Sequence, residues 1–248
     1  MVTFTVCIAC VDKHIGFMEK TLESLQEYTV KPDKVIVSMS PKFLCLDLHA
    51  QKRRLEEKFP FLLCLVQCGI TGFGENLNFA FEKVDTDYAT VWGADDFFHP
   101  RYFEVMKYII EKKNPNIITH SFDPGLTARL SRDPQVWGNI DVFDKIDLYN
   151  MKTYDDFYLR PEGDGKSRFY SRKYQEDNST TNMIWMHYGF QTFKSHIIQE
   201  NKYKIGKLFD WRSDTLFLVD MYNRYGDMIF IDENMVQYRP SNTLAVHK

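Results

Sequence analysis

Two adjacent carboxylates, Asp95 and Asp96, close an apolar run in the string Val91-Trp92-Gly93-Ala94-Asp95-Asp96-Phe97-Phe98-His99-Pro100. Like charges brought together at the end of a buried segment are costly unless something positive neutralises them. A divalent cation does so, and hard oxygen donors suit Mg²⁺ or Mn²⁺. Such an ion can bridge a diphosphate and offset the charge that grows on it as it leaves. A plainer use exists, because Asp also caps helix N-termini and Pro100 opens a helical stretch. The dipeptide alone leaves both uses open.

Other groups could join it. His99, His187 and His247 are candidate ligands by side-chain type, since imidazole accepts Mn²⁺, although surface or packing roles are common for each. Arg239 carries a fork of donors suited to phosphate or to a structural ion pair. The basic run at residues 166–173 (KSRFYSRK) reads as a solvated loop or helix end, with a phosphate- or acceptor-binding role as the alternative.

The elements that must position these groups are legible from periodicity. Phe4–Val11 (FTVCIACV), residues 34–39 (KVIVSM), 61–66 (FLLCLV), 88–92 (YATVW) and 116–122 (NIITHSF) are short apolar runs of strand formers. Between them lie helical patterns at residues 16–28, 47–59, 75–84 and 100–112. This alternation with short connections predicts a mostly parallel, doubly wound sheet. Ligands of such sheets bind outside the carboxyl ends of the strands, which directs attention to residues 11–14, 38–41 and 93–99. Serine hydroxyls at Ser38 and Ser40 can hydrogen-bond a base.

From residue 123 to about 181 the pattern dissolves into Pro, Gly, Asp, Arg and Tyr, predicting an irregular insertion with short elements or an orderable lid. Regular structure returns at residues 183–198, in a helix near 214–225 and in a strand at 228–232.

Composition excludes several classes. The chain has 248 residues, 44% hydrophobic and 26% charged, an ordinary balance for one α/β domain. A formal net charge of −3 supplies no global field for nucleic acid. No run of 18 apolar residues spans a membrane, and no leader pattern opens the chain. The expectation is a soluble, cytoplasmic protein. The five cysteines, Cys7, Cys10, Cys45, Cys64 and Cys68, fit free buried thiols in a reducing compartment. Cys7 and Cys10 lie on one strand at i, i+3, so they face opposite ways and cannot share a metal. Aromatic residues reach 15%, with 20 Phe and 14 Tyr; they read first as core, and second as faces for a planar base or a sugar.

The acidic string resembles the metal-binding DXD region of GT-A glycosyltransferases, especially the inverting family 2. The family's Asp-Ala-Asp-Asp becomes Gly93-Ala94-Asp95-Asp96, followed as usual by aromatics and Pro100. Further likenesses follow in order. The opening strand and Thr21-Leu22-Glu23-Ser24-Leu25 resemble the family's first strand and its helix. Gly74-Glu75-Asn76-Leu77-Asn78-Phe79-Ala80 resembles the helix before the DXD strand. Trp211-Arg212-Ser213-Asp214-Thr215-Leu216-Phe217 with Gly226 and Tyr238-Arg239 resembles the "ED" helix and the closing "YR" segment. The likeness covers roughly residues 3–110 and 185–240.

The resemblance implies a single GT-A domain, with residues 1–122 as the nucleotide-sugar half and 123–248 as the acceptor half. It implies donor contacts from Cys10, Val11, Asp12, Ser38, Asn78, Ala94, Asp95 and Arg239, and a metal, Mn²⁺ or Mg²⁺, held by Asp95, Asp96 and His247. Asp214 becomes the base that deprotonates the acceptor hydroxyl, with Ser213 in place of the usual Glu; its other reading is a helix-start residue favoured by the macrodipole. The donor would be a UDP- or GDP-sugar and the acceptor a glycan, glycoprotein or lipid-linked saccharide. Two alternatives stay open: a sugar nucleotidyltransferase, for which residues 11–16 make a poor glycine-rich loop, and a non-catalytic sugar-nucleotide or glycan-binding module.

Overall fold

The computed structural model describes residues 1–41, 47–69, 71–121, 141, 143–161, 167–179, 181–184, 186, 189–204 and 213–238. In chain order the strands are β1 (Phe4–Val11), β2 (Lys34–Ser40), β3 (Leu62–Val66), β4 (Tyr88–Gly93), β5 (Phe97–Phe98), β6 (Ile117–Ser121), β7 (Thr153–Tyr154), β8 (Phe157–Pro161), β9 (Ser167–Ser171), β10 (Thr192–Lys194), β11 (Met228–Asn234) and β12 (Val236–Gln237). The α-helices are α1 (Ile15–Ser24), α2 (Leu48–Lys58), α3 (Phe73–Phe81), α4 (Tyr102–Lys113), α5 (Arg172–Asn178), α6 (Ser195–Glu200) and α7 (Ser213–Tyr225).

Eight strands form the central sheet in the order β3-β2-β1-β4-β10-β6-β11-β7. The strands β1, β2, β3 and β4 are parallel, as are β6 and β11. β10 inserts antiparallel between β4 and β6, so those two keep the same direction without touching. β7 closes the edge antiparallel to β11.

Because β1 lies inside the sheet, its alternate side chains serve two cores. Val6, Ile8 and Cys10 join one apolar cluster with α1, α2 and α4, through Met18, Leu22, Leu55, Phe103 and Met106. Cys7 joins the other with α3 and α7, through Leu77, Phe81, Phe217 and Leu218. The two cysteines therefore face opposite layers, as their spacing predicts. Burying one such Leu or Phe contributes roughly 1.5–3 kcal/mol. The α4 stripe Tyr102, Phe103, Val105, Met106, Ile109 and Ile110 is fully enclosed, and the helix stops where Asn114 turns left-handed at φ 46°. Among the described cysteines all are free thiols, but Cys68 is exposed rather than buried; it sits in the turn beyond β3, past the apolar run. Cys45 lies outside the described residues.

The middle of the chain departs from the sequence reading. Residues 167–171 are not a solvated loop but β9, paired antiparallel with β8, and α5 follows directly. Phe169 and Ser171 are buried on the inner side of this hairpin, which packs on Tyr222 of α7, with Phe169 at 5.1 Å between ring centroids; Tyr170 is buried on the opposite side. Alternating Arg and Tyr hid the strand period. Among the described residues, the regular structure expected over residues 183–198 consists of isolated bridges at Met183 and Met186 followed by β10 and α6, and it reaches Glu200. The short pair β5–β12 was also not anticipated; it joins Val236 to Phe98 and Gln237 to Phe97.

Candidate active site

The parallel strands β1 and β4 end side by side, with Ala9 in register with Gly93. After Gly93 the chain turns through Ala94 and Asp95 and re-enters structure at β5. The rings of Trp92 and Phe98 bracket this turn, stacked at 3.9 Å with planes 5° apart. From α1, the Thr21 hydroxyl donates to the Asp96 carbonyl at 2.9 Å. The Tyr28 hydroxyl donates to the Phe98 carbonyl at 2.5 Å, and the His99 amide donates to the Met235 carbonyl at 3.0 Å. The acidic turn is thus fastened from the helix after β1 and from the chain before β12. Thr21 is a positioning residue that its helix motif carried without revealing its job.

The space that a side chain on Gly93 would take is filled by Asp96. An ideal Cβ there would stand 2.0 Å from Asp96 Oδ2, 3.0 Å from its Cγ and 3.2 Å from Phe190 Cε1. The Asp96 carboxylate therefore folds back over the strand end, and the residue is only 2% exposed. Asp95 is presented differently: its side chain is 15% exposed, with Oδ1 3.9 Å from His14 Nδ1. His14 belongs to the 3-10 turn Asp12–His14 after β1. It lies within the strand-end loop the topology rule singles out, but nothing in its sequence context distinguished it. Asp12 is buried and its Oδ1 accepts from the Lys13 amide at 2.8 Å. Burial first, then the charges of Asp95, Cys64 and Asp12, hold the Cys10 thiol protonated by pushing its pKa up. Cys10 thus lies within the field of both carboxylates, and its Sγ donates to the Val11 carbonyl at 3.4 Å.

Two expected donor contacts are spent on the scaffold. Ser38 is fully buried; its hydroxyl donates to Asn76 Oδ1 at 2.5 Å and accepts from Gln67 Nε2 at 3.1 Å. Asn78 clamps the backbone of Tyr203, donating to its carbonyl at 3.0 Å and accepting from its amide at 2.7 Å. His99 likewise uses both ring nitrogens. Nδ1 accepts from the Arg101 amide at 3.0 Å, so Nε2 carries the proton given to the Asp144 carbonyl at 3.1 Å. Burial holds its pKa below the usual value.

Asp214 stands in the first turn of α7, where its Oδ1 accepts from the Thr215 amide at 2.6 Å. The helix returns to β11 through Gly226 and Asp227, both at positive φ. It therefore runs against the strand direction, and its N-terminus lies at the same carboxyl edge as Asp95. Tyr203 joins α7 to the start of α3. Its ring stacks on Phe217 at 4.1 Å, and a Cβ on Gly74 would stand 2.7 Å from Tyr203 Cβ. Its phenol is held well above the ordinary pKa by burial first and by the Asp214 charge next. Arg239, His187, His247, Trp211 and Arg212 lie outside the described residues.

Among the described residues no group of three or more His, Cys, Asp and Glu converges as a closed metal cage. A partly exposed carboxylate at Asp95 nevertheless fits Mg²⁺ or a similar hard ion, which is usually held by one or two carboxylates together with substrate phosphates. Asp96, turned onto Gly93, presents its carboxylate less openly.

A family model described as Glycosyl transferase family 2 matches residues 5–226. The chain belongs to this family. Among solved structures, this family 2 chain is similar to S. aureus TarS 1-349, with a TM-score of 0.60 and 11% identity over 96% of this chain and 60% of that one. For the same protein in complex with UDP-GlcNAc the TM-score is 0.61, with 10% identity over 97% of this chain and 59% of that one. A third likeness is glucosyl-3-phosphoglycerate synthase from Mycobacterium tuberculosis in complex with Mn²⁺, UDP and glucosyl-3-phosphoglycerate, with a TM-score of 0.55 and 12% identity over 99% of this chain and 75% of that one. These likenesses show the GT-A fold, and the chain spans about 60% of the TarS 1-349 structure. No curated protein matches the chain. Among the described residues, no helix is long and apolar enough to cross a membrane.

Proposed function

We propose that the protein transfers a sugar from a nucleoside-diphosphate sugar to an acceptor hydroxyl with inversion, using a divalent metal. One observation carries this reading: Asp12, Asp95 and the N-terminus of α7 with Asp214 share the carboxyl edge of the parallel strands in one mostly parallel sheet, where such folds bind nucleotides. The complexes of similar folds with UDP, UDP-GlcNAc and Mn²⁺ favour a UDP-sugar over a GDP-sugar as donor and Mn²⁺ or Mg²⁺ as the ion.

In this reading residues Cys10 to Asp12 line the base and ribose, Ala94 and Asp95 face the diphosphate, and Arg239 and His247 add to phosphate and metal. When bound, the metal offsets charge on the departing diphosphate. Asp95 holds it; Asp96 shapes the turn that aims Asp95. Asp214 accepts the proton from the acceptor hydroxyl as that oxygen attacks the anomeric carbon. Residues 1–122 form the donor half and 123–248 the acceptor half of one domain, working in the reducing cytoplasmic setting that the free thiols suggest.

The test is turnover of a panel of UDP- and GDP-sugars, read as nucleoside-diphosphate release with Mn²⁺, Mg²⁺ or chelator. Metal-dependent release from one donor class, lost in Asp95→Ala, supports the proposal. Absence of release from every donor, with simple saccharides supplied as acceptors, counts against it.

A further inference from the structure

Tyr203 carries a polar group into a place where an apolar one would be more stable. The residue is 1% exposed and its ring lies among phenylalanines. It stacks on Phe217 at 4.1 Å with planes 12° apart, meets Phe73 edge-on at 6.0 Å and tilts against Phe81 at 5.9 Å. Its hydroxyl oxygen is buried and has no hydrogen-bond partner among the described residues. Stripping water from a hydroxyl without replacing its hydrogen bond destabilises the native state, and buried polar groups are nearly always paired. A phenylalanine at this position would fill the same ring space without that penalty.

The hydroxyl cannot leave its position by a shift of the chain. Asn78 holds both the amide and the carbonyl of Tyr203, and the Gly74 backbone lies so close that a Cβ there would stand 2.7 Å from Tyr203 Cβ. The charged group that the phenol meets is Asp214. Asp214 and Phe217 stand three residues apart in α7, neighbours on one helix face, and the Tyr203 ring lies flat on Phe217. After burial, the Asp214 charge is the next cause that holds the phenol pKa well up. The phenol therefore keeps its proton at neutral pH and is a donor beside a carboxylate acceptor.

In the structure Asp214 Oδ1 accepts from the Thr215 amide at 2.6 Å and from the Thr215 hydroxyl at 3.4 Å. Such a local bond competes with bonds to other elements, and a turn about χ1 exchanges one for the other.

We propose that Tyr203 is a positioning residue for Asp214: its hydroxyl donates to the Asp214 carboxylate when that group turns from the Thr215 amide, and so fixes the orientation that meets the acceptor hydroxyl. One carboxylate oxygen then accepts from Tyr203 while the other takes the acceptor's proton. The role in transfer rests on the transferase reading, whereas the hydrogen bond does not.

Two measurements test it. In proton NMR of the full chain with UDP and Mg²⁺, the Tyr203 hydroxyl proton, protected from exchange by burial, should give a downfield signal. It should vanish in Tyr203→Phe and move upfield in Asp214→Asn. In steady-state kinetics Tyr203→Phe should lower kcat about tenfold, as loss of one hydrogen bond to a charged group would. The donor KM should change less than about twofold, and the thermal midpoint should stay or rise, since the hydroxyl has no partner in the resting fold. In the Asp214→Asn background the same substitution should lower the rate no further, because the two residues act as a unit. A purely structural role predicts the reverse: a lower midpoint and an equal loss of rate in both backgrounds. That pattern, an unchanged kcat in Tyr203→Phe, or a hydroxyl signal indifferent to Asp214→Asn overturns the proposal. A signal that responds to Asp214 in a chain that turns over no donor supports the hydrogen bond and counts against the transferase reading instead.

Discussion

The carboxylate of Asp96 occupies the space in which a side chain on residue 93 would begin, with Oδ2 2.0 Å from an ideal Cβ on Gly93. The two positions are therefore coupled. Gly93→Ala should push Asp96 off the strand end and cost about 1–3 kcal/mol through overpacking. Asp96→Ala in the same chain should relieve part of that cost, giving a coupling of roughly 1 kcal/mol or more in a double-mutant cycle. Urea unfolding of the four proteins measures it, and strict additivity would show that the contact is not made.

Asp214 is expected to act in the chemical step and not in donor binding. Asp214→Asn should lower the transfer rate by roughly 10²–10⁴, with nucleotide affinity changed less than about twofold. Steady-state rates and titration with UDP separate the two effects. A variant that keeps its rate would return Asp214 to a helix-start role.

Asn78 holds Tyr203 through both backbone groups, so Asn78→Ala strands a buried amide and a buried carbonyl. The expected loss is roughly 2–4 kcal/mol, read from chemical unfolding. A loss below about 0.5 kcal/mol, the usual range for a surface change, would mean the clamp does not hold this segment.

His120 is fully buried, and burial depresses its pKa from 6.5 to about 4. Above pH 6.5 the group is neutral in both states and contributes nothing to the pH dependence. As pH falls from 6.5 towards 4 the unfolded chain takes up a proton that the native chain refuses, so stability drops. The full effect is on the order of 3 kcal/mol. His120→Phe should flatten this acid limb in unfolding midpoints measured between pH 7 and 4. An unchanged limb would assign the acid sensitivity to other groups.

Much of the fold was legible because its strands are buried on both faces and write themselves as unbroken apolar runs. Phe4–Val11 was read to the residue for this reason. The β8–β9 hairpin was not, since its outer row of Tyr and Arg masks the period of Phe157, Leu159 and Phe169. The site divides the same way. Asp95 and Asp214 stand out in motifs at element ends, and the structure puts both elements on one edge. The work of Thr21, Ser38 and Asn78 depends on partners 75, 38 and 125 residues away, which no local pattern reports. The reason for Gly93 is likewise a contact, and the motif shows only the missing carboxylate.

The central claim is that Asp95 holds a metal-bound nucleoside diphosphate. Isothermal titration of UDP into the wild-type protein and Asp95→Ala, each with Mn²⁺ and with chelator, tests it most directly. The account predicts tight binding to the wild type with Mn²⁺, and at least tenfold weaker binding after either chelation or substitution. Binding of equal strength in all four titrations, or none in the wild type with UDP or GDP, would contradict it.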